Sequence, residues 1–574
     1  MLYFPLGVAG HVDHGKTTLV KALTSIDTDR LPEEKRRGMS IDIGFAFLDF
    51  PSENLRVEII DLPGHERFIK NATCGLAPVW GLMLVVDACE GVMPQTLEHI
   101  RIARTFGINR LITVLSKIDK VDEETSELAK EEVKDLLSKE GLIYSGIYKV
   151  SANTGTGIED LKKGILTYAK ENLKDKRKDF FLFFVDSAFV VKGYGTVVRG
   201  SCVSGEVLEG EALVLEPLGV KCKVRKMQNH GLFVKEGRSG ERLALNLPEL
   251  DPSLVQRGHF LIKEGQFKKS SRVIVRLDSE MPKGLGYAFF GMREVSLKHR
   301  KLIENVYLLK LSEEVVTLRG YKGPVLNSSG EFLGGYEVLH PFPSRLSKRF
   351  ILDRIHLLVD NPEEYLLLER GIMGLSPKDL SSFYGRPYPS LPSGAISIGN
   401  MLYHKGAFSS LKDRLLRELS ESNGLVKVSQ LTSKLRIKEE VLGLILKELR
   451  DYIIVEGYLL DIKSSNLEEL DGYKKLMSLL SEGLKEEREL LPLKEYLHIA
   501  LRKGHAYSLG SYLYVSKELF EEYVNRLRSL GKEFSIGQAK EVLSFSRKYL
   551  IPLLEYMDSL GITKRLGDRR VFLR

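Results

Sequence analysis

The stretch Gly10-His11-Val12-Asp13-His14-Gly15-Lys16-Thr17-Thr18 (GHVDHGKTT) determines how the first third of the chain folds. It fits the pattern G-x-x-x-x-G-K-[ST] at every fixed position. A strand-like run (Tyr3–Val8) precedes it and a helix-like run (Thr18–Leu23) follows. In that setting the backbone N–H groups of the loop and of the helix start point at a phosphate. Lys16 is expected to neutralise β and γ oxygens, and the Thr17 hydroxyl to take a place on Mg2+. Asp13, His14, Gly15 and Thr18 complete the expected nucleotide-binding loop.

Three more motifs follow in order, each after an apolar run. Asp61-Leu62-Pro63-Gly64 follows Val57–Ile60, Ser116-Lys117-Ile118-Asp119 follows Leu111–Leu115, and Ser151-Ala152-Asn153 follows a short strand-like run. An Asp at a strand end can hold a metal, usually through water, and Gly64 permits close backbone approach to a γ-phosphate. A carboxylate at Asp119 can pair with guanine N1–H and N2–H₂, which adenine lacks. Ser151-Ala152-Asn153 can offer a backbone N–H to guanine O6. The runs Val57–Leu62, Gly81–Val86 and Leu111–Leu115 are almost continuously apolar, as in strands of a parallel sheet buried on both faces. Residues 1–172 therefore read as an α/β P-loop domain that binds GTP or GDP.

Outward from this domain the texture changes twice. Asn172–Asp179 (NLKDKRKD) is a charged linker. Residues 178–265 and 267–345 carry short β-rich runs punctuated by glycine, which reads as two β-barrel domains. From 347 onward amphipathic helices alternate with hairpin-like stretches at Ala395–Tyr403, Tyr452–Asp461, Ala506–Val515 and Ile562–Leu573. The recurrence indicates an array of small modules, and helices closed by a hairpin are the plan of a winged helix. Four such modules are expected, over 347–405, 406–463, 464–518 and 519–574. The fold class is thus multidomain: a P-loop domain, two β-barrels and a winged-helix array.

Composition sets the outer limits. A chain of 574 residues with 43% hydrophobic and 28% charged residues has ample core material for several domains. No apolar run approaches the roughly 18 residues of a membrane span, and the N-terminus reads as a first strand rather than a signal peptide. Cys74, Cys89, Cys202 and Cys222 are scattered, so neither a zinc site nor a disulfide framework is suggested. A cytoplasmic monomer is expected. The net charge of +8 permits a polyanionic partner without demanding one.

The charge gathers at the end. Residues 547–574 hold seven Lys and Arg against three acids, a local excess that fits a phosphate footprint. Ser535-Ile536-Gly537-Gln538 reads as a capping box. Ser546-Arg547-Lys548-Tyr549 opens the next helix, where cations are disfavoured by the helix dipole. Pro552 lies deeper than the first turn, which allows a kink or a later start. Gly567-Asp568 suits a two-residue turn, and that register sets Arg565 opposite Arg570, an unfavourable pairing of like charges. Both arrangements would be relieved by a polyanion.

These motifs together resemble the translational GTPases of the elongation factor Tu branch and, more narrowly, the selenocysteine-specific elongation factors. The phrase at 10–17 stands intact, and Arg37-Gly38-Met39-Ser40-Ile41-Asp42 resembles the family's switch I, with Ser40 in place of Thr as an Mg2+ ligand beside Thr17 and Asp61. Ser116 departs from the family's Asn or Thr, while Lys117 and Asp119 match. The resemblance assigns His65 the catalytic role of orienting the water that attacks the γ-phosphate. It makes His11 and His14 loop framework, and gives Asp13 a further role in placing a monovalent cation. Val185–Gly200 and Gly240–Leu245 resemble the second domain, which holds the aminoacyl end of a tRNA. Asp186 and Arg242 fall at its aminoacyl-pocket positions, and Ser187 falls where a second basic residue is common. Leu333–Leu339 resembles the last strand of the third domain.

The terminal segment resembles the winged helix that grips an mRNA hairpin beside a UGA codon. It implies Arg547, Lys548, Tyr549 and Arg565 as RNA contacts, and selenocysteinyl-tRNA, an mRNA stem-loop and the ribosome as partners. Two rival readings fit the same residues, a winged-helix gene regulator fused to a GTPase switch and a general or initiation-type factor with an unusual tail.

Overall fold

The computed structural model describes residues 1–574 apart from 30–31, 38, 174–179, 283, 346, 389, 423–424, 436, 438, 448, 450, 464–466, 468–469, 511 and 574. Gly38 of the switch I phrase and most of the expected charged linker lie outside the described residues. The chain divides into two compact units, the first built mainly from residues 1–369 and 375–393, the second mainly from 403 onward.

The first unit begins with a six-stranded sheet. Its strands are β1 (Leu2–Ala9), β2 (Gly44–Phe50), β3 (Leu55–Asp61), β4 (Gly81–Asp87), β5 (Arg110–Ser116) and β6 (Ile143–Lys149), in the order β2-β3-β1-β4-β5-β6. Only β2 runs antiparallel to its neighbour. Strand β4 shows why the apolar runs do not alternate with polar residues. Leu82, Leu84 and Val86 enter the core on one face, while Met83 and Val85 enter the core on the other. Helices α1 (Lys16–Thr24), α2 (Pro32–Arg37), α3 (Ile69–Leu76), α4 (Pro94–Thr105), α5 (Glu123–Lys139) and α6 (Ile158–Asn172) occupy the connections. The phosphate loop and the three later motifs all emerge at the carboxyl ends of the parallel strands. That is where open α/β sheets bind ligands.

Two antiparallel assemblies follow. An eight-stranded sheet contains β7 (Leu182–Val191), β8 (Gly195–Ser204) and the strand Arg242–Asn246, and surrounds one core that includes Phe183, Val198, Leu213, Leu245 and Leu261. Its two outermost strands, Val220–Lys223 and Leu232–Val234, have no ladder between them among the described residues. The six strands from Lys269–Leu277 to Phe332–His340 do close into a barrel. Helices Lys348–Asp360, Pro362–Arg370 and Pro377–Tyr384 belong chiefly to this unit, where the buried His340 Nε2 meets Glu369 Oε2 at 2.9 Å.

The second unit repeats one plan three times. Each repeat has a short strand followed by helices and then a hairpin, and the short strand pairs with the hairpin's second strand. The sheets are Leu425–Lys427 with Tyr458–Asp461 and Tyr452–Val455, Lys485–Glu486 with Leu513–Ser516 and Ala506–Ser508, and Glu533–Ser535 with Arg569–Phe572 and Thr563–Leu566. A glycine of positive φ turns each hairpin: Gly457 (77°), Gly510 (74°) and Gly567 (62°). The capping box at Ser535 and Gln538 forms as the spacing predicts. The following helix runs from Arg547 to Ser559 with Pro552 buried in its interior, so it begins ahead of the proline rather than after it. Among the described residues no helix is long and apolar enough to cross a membrane.

Candidate functional site

The loop between β1 and α1 is held open by residues that tolerate positive φ: Gly10 (144°), Asp13 (62°) and Gly15 (80°). A Cβ on Gly10 would lie 2.2 Å from the Val85 carbonyl oxygen, so β4 supports the loop from beneath. Lys16 is buried, and its Nζ donates to the carbonyls of Gly10 (3.0 Å) and His11 (2.6 Å). Burial pushes its ammonium down to about 8, against the pull of Asp61 and Asp13. Gly64 comes so close that a Cβ there would lie 2.3 Å from Lys16 Nζ and 2.8 Å from the Val12 nitrogen. His14 is fully buried, and its Nδ1 accepts the Asp87 amide at 3.2 Å. Thr18 is exposed on the first turn of α1, and Asp13 is exposed at the loop's crest.

Oxygen donors converge beside this loop. The Thr17 hydroxyl donates to Asp61 Oδ2 at 2.8 Å and lies 2.9 Å from Ser40 Oγ. Thr28 donates to the same Asp61 oxygen at 2.7 Å, while Asp61 Oδ1 is buried with no hydrogen-bond partner. Burial raises the Asp61 carboxyl above the usual range. Two hydroxyls and a carboxylate with an unsatisfied oxygen are hard donors of the kind Mg2+ takes, so the residues present fit that ion. Glu34 clamps the segment that delivers Ser40, its Oε1 accepting the amides of Ile41 (3.0 Å) and Asp42 (3.1 Å). His65 is half-buried at the start of a short 3₁₀ turn, and its Nδ1 accepts the Arg67 amide at 3.2 Å.

On the other side of the loop, Lys117 has φ 56° and its Nζ reaches Asp87 Oδ2 at 2.7 Å. Asp119 is exposed just beyond it. The Ser116 hydroxyl donates to the His14 carbonyl at 2.7 Å, so this shorter side chain braces the phosphate loop directly. Ser151 is buried, with its amide on the Thr156 carbonyl at 3.0 Å and its hydroxyl accepting the Thr154 amide at 3.2 Å. Ala152 is half-buried and Asn153 exposed. The Ile118 amide to Val150 carbonyl bond (3.4 Å) ties these last two loops together. The structure thus brings all the expected nucleotide residues to one edge of the sheet.

The two residues expected at the aminoacyl pocket, Asp186 and Arg242, lie in contact. Arg242 Nη1 donates to Asp186 Oδ2, both side chains are largely buried, and Ser187 Oγ donates to Asp186 Oδ1 at 2.8 Å. The Phe45 ring lies 3.3 Å from the Arg242 guanidinium carbon. Arg242 borders a cleft of about 660 Å3 that Phe189, Arg199, Lys226, His230 and Phe233 also line.

The four expected RNA contacts divide into two pairs. Arg547 and Arg565 are exposed. Lys548 and Tyr549 instead turn to Glu486 of the preceding repeat: the lysine ammonium pairs with its carboxylate, and the Tyr549 hydroxyl donates to Oε1 at 3.0 Å. Arg565 does stand opposite Arg570 in the register. The expected repulsion is nonetheless relieved within the module, because Arg570 is buried and its Nε donates to Asp558 Oδ2 at 2.9 Å. Lys548 is likewise neutralised by Glu486, so of the two unfavourable arrangements what persists is the exposed Arg547 at the helix start.

Comparison with known proteins follows the same division. Residues 3–171 match the elongation factor Tu GTP binding domain. Residues 470–516 match the third winged-helix domain of elongation factor SelB, and residues 525–572 its winged helix. A selenocysteine-specific elongation factor of Desulfomicrobium baculatum is 30% identical over 98% of this chain and 99% of its own length. The chain belongs to the selenocysteine-specific elongation factors. The crystal structure of a bacterial selenocysteine-specific elongation factor EF-Sec is 48% identical, covers 100% of both chains and superposes with a TM-score of 0.80. The SelB of Methanococcus maripaludis, solved with the GTP analogue GppNHp, is 28% identical over 59% of this chain and 79% of its own, with a TM-score of 0.51. This selenocysteine-specific factor is accordingly a GTPase, a translation elongation factor with winged-helix modules at its end.

Several supporting residues of this factor carry no mark in the sequence. His99 on α4 is buried, its Nδ1 accepts the Gly10 amide at 3.2 Å, and burial lowers its pKa to about 3, which keeps it neutral. Gln95 Oε1 accepts the Val12 amide at 3.3 Å. Neither looks different from an ordinary helical polar residue. Asp87 could have been found, because it ends the apolar run Gly81–Val86 as Asp61 ends its own. The Ser116 brace is testable. A hydrogen bond nets about 0.5–1.5 kcal/mol, so Ser116→Ala should weaken GDP binding by about two- to tenfold in a calorimetric titration. Unchanged affinity would show that the brace contributes nothing.

Proposed function

We propose that the GTP form of this chain, acting as a cytoplasmic monomer, carries selenocysteinyl-tRNA to a ribosome paused at UGA. Its last winged helix holds an mRNA stem-loop there, and GTP is hydrolysed on decoding. The observation that carries this reading is the cationic cleft beside Arg242. A selenol ionises below a thiol, so a selenocysteine side chain is an anion at neutral pH, and an Arg is its natural partner by charge and hydrogen bonding. Asp186 neutralises part of Arg242, but Arg199 and Lys226 line the same cleft. They supply the positive charge that Ser187 omits. Arg199 lies over the Phe189 ring (4.4 Å) and Lys226 over the Phe233 ring (5.3 Å), so the two rings hold these cations at the cleft, and the volume of about 660 Å3 lies in the range of ligand clefts.

At the nucleotide, Asp119 pairs with guanine N1–H and N2–H₂, and the Ser151–Asn153 backbone meets O6. Lys16 and the loop amides bind the phosphates. Thr17, Ser40 and Asp61 would hold Mg2+, which neutralises charge on the phosphate oxygens. His65 orients the attacking water. With Nδ1 already accepting the Arg67 amide, the neutral ring carries its proton on Nε2. Water adds to the γ-phosphorus and gives its proton to a γ-phosphate oxygen, the bond to the bridging oxygen breaks, and GDP leaves with that electron pair. Phosphoryl transfer depends on positioning and charge neutralisation, so turnover stays slow until the ribosome fixes His65.

At the far end, Arg547 and Arg565 supply exposed cations, with Lys548 and Tyr549 beside them. A stem-loop would be read through backbone shape and splayed bases.

The deciding experiment is competition between selenocysteinyl-tRNA and its seryl precursor for the GTP form. Strong preference for the selenocysteinyl form is expected, and equal affinity would sink the reading. His65→Ala should bind GTP normally yet lose ribosome-stimulated hydrolysis, measured as phosphate release with and without ribosomes; normal stimulation would remove His65 from catalysis. The double variant Arg547→Ala, Arg565→Ala should lose hairpin binding in a filter assay while intrinsic GTP turnover persists. Wild-type hairpin affinity would refute the footprint.

A further inference from the structure

Beyond the phosphate loop and the cleft, one cation touches both halves of the machinery. Arg257 belongs to the second domain, between the turn Pro252–Leu254 and the strand Phe260–Ile262. Its Nη1 donates to Asp42 Oδ1 and its Nη2 to Asp42 Oδ2, each at 2.7 Å. This is a fork-to-fork pair with a residue of switch I. Its remaining nitrogen, Nε, points the other way and donates to the Asp186 carbonyl at 3.5 Å.

The backbone fixes Arg257 in this position. The Gly258 amide donates to the Val185 carbonyl (3.0 Å), and the Val185 amide donates to the His259 carbonyl (2.9 Å). The register of β7 on β8 shifts between Val185 and Ser187, which places Asp186 in a bulge. Bulges re-aim side chains next to functional sites, and here the bulged residue pairs with Arg242. Asp186 thus stands between two guanidinium groups, Arg242 on its carboxylate and Arg257 on its carbonyl.

Both guanidinium groups are also held by the same short stretch of the first domain. Asp42 takes Arg257, and Phe45, three residues later, covers Arg242. Two residues before Asp42 stands Ser40, whose hydroxyl lies 2.9 Å from Thr17 Oγ1 in the phosphate loop. The path from nucleotide to pocket is therefore short and contiguous: Thr17, Ser40, Asp42, Arg257, Asp186, Arg242, closed by Phe45.

We propose that Arg257 is the positioning residue that makes the aminoacyl pocket depend on the state of switch I. It rests on the pocket reading above. When switch I keeps its present course, Asp42 neutralises Arg257 and Phe45 covers Arg242, and Asp186 is held in register for the incoming side chain. When switch I leaves, Arg257 loses its carboxylate, Arg242 loses its cover, and the bulge at Asp186 loses its outer support. The bidentate geometry is essential, because a lysine offers a point charge and cannot span both carboxylate oxygens while reaching the Asp186 carbonyl.

The test uses the full chain. Affinity for selenocysteinyl-tRNA is measured in the forms loaded with a non-hydrolysable GTP analogue and with GDP, for the wild type, Arg257→Ala and Arg257→Lys. Both variants should lose about tenfold or more in the GTP-analogue form, as expected for a charged hydrogen-bonded pair. Their GDP form should change little, so that the ratio between the two forms collapses while affinity for GDP stays at the wild-type value. The charge-reversed pair Asp42→Arg, Arg257→Asp should recover part of the ratio lost in Arg257→Asp alone. An unchanged ratio, or an equal loss in both forms, would overturn the proposal and leave Arg257 a structural residue. A wild-type protein without nucleotide-dependent tRNA binding would instead overturn the pocket reading, and this inference with it.

Discussion

The contact between the Thr17 hydroxyl, the Asp61 carboxylate and the Ser40 hydroxyl gathers three separated pieces of chain. One is the start of α1, one the end of β3, and one the loop that leads into β2. Each arrives for its own local reason. Glycines and Asp13 open the phosphate loop, the parallel sheet carries Asp61 to a strand end, and Glu34 clamps the amides that precede β2. Once the three meet, the starting point of β2 is set. Since β2 pairs with β3 along its whole length, the side chains that β2 presents to the second domain are set as well. A grouping of small oxygen donors therefore has consequences well beyond the nucleotide.

A second theme is how the chain accommodates buried cations. A buried charge is costly unless it is paired and hydrogen-bonded. Lys16 is satisfied by loop carbonyls, Arg242 by Asp186 and a ring face, and Arg570 by Asp558, and the half-buried Arg257 is paired likewise with Asp42. All but the first use a carboxylate, and in the two pairs of the second domain the arginine is far from its acid in sequence. Such pairs contribute less to net stability than to fixing one arrangement, since breaking one leaves a stranded charge.

Much of the architecture could be read from residue patterns. The phosphate loop is local, and its glycines have to stand where the backbone turns left-handed. The double-sided apolar runs follow from burial on both faces of β4. The repeats at the end betray themselves through period and turn glycines. What escaped notice depends on contacts between distant residues. His99 and Gln95 look like any polar residues on a helix, yet they hold loop amides. Ser116 departs from the expected residue, but its short hydroxyl reaches a carbonyl of the phosphate loop. The pairing of Arg565 with Arg570 followed from turn geometry alone, whereas the acid that relieves it sits on the preceding helix. Register is a matter of counting along the chain, and charge neutralisation a matter of what packs above it.

The grip of Glu486 on Lys548 and Tyr549 has a consequence for ionic strength. A free lysine brings with it a loosely held counterion, and binding a phosphate releases an ion condensed on the nucleic acid. Lys548 already has its counterion, covalently attached to the neighbouring repeat. A polyanion that reaches it exchanges one carboxylate for one phosphate, while Glu486 keeps Arg488, whose Nε lies 3.1 Å from its Oε2. Salt screens the pair that is lost as well as the pair that is gained, so the two effects offset. The slope of log affinity against log salt would therefore be shallower than the number of basic residues in the last repeat suggests. The number of charges on that face and the number of ions it exchanges are two different quantities.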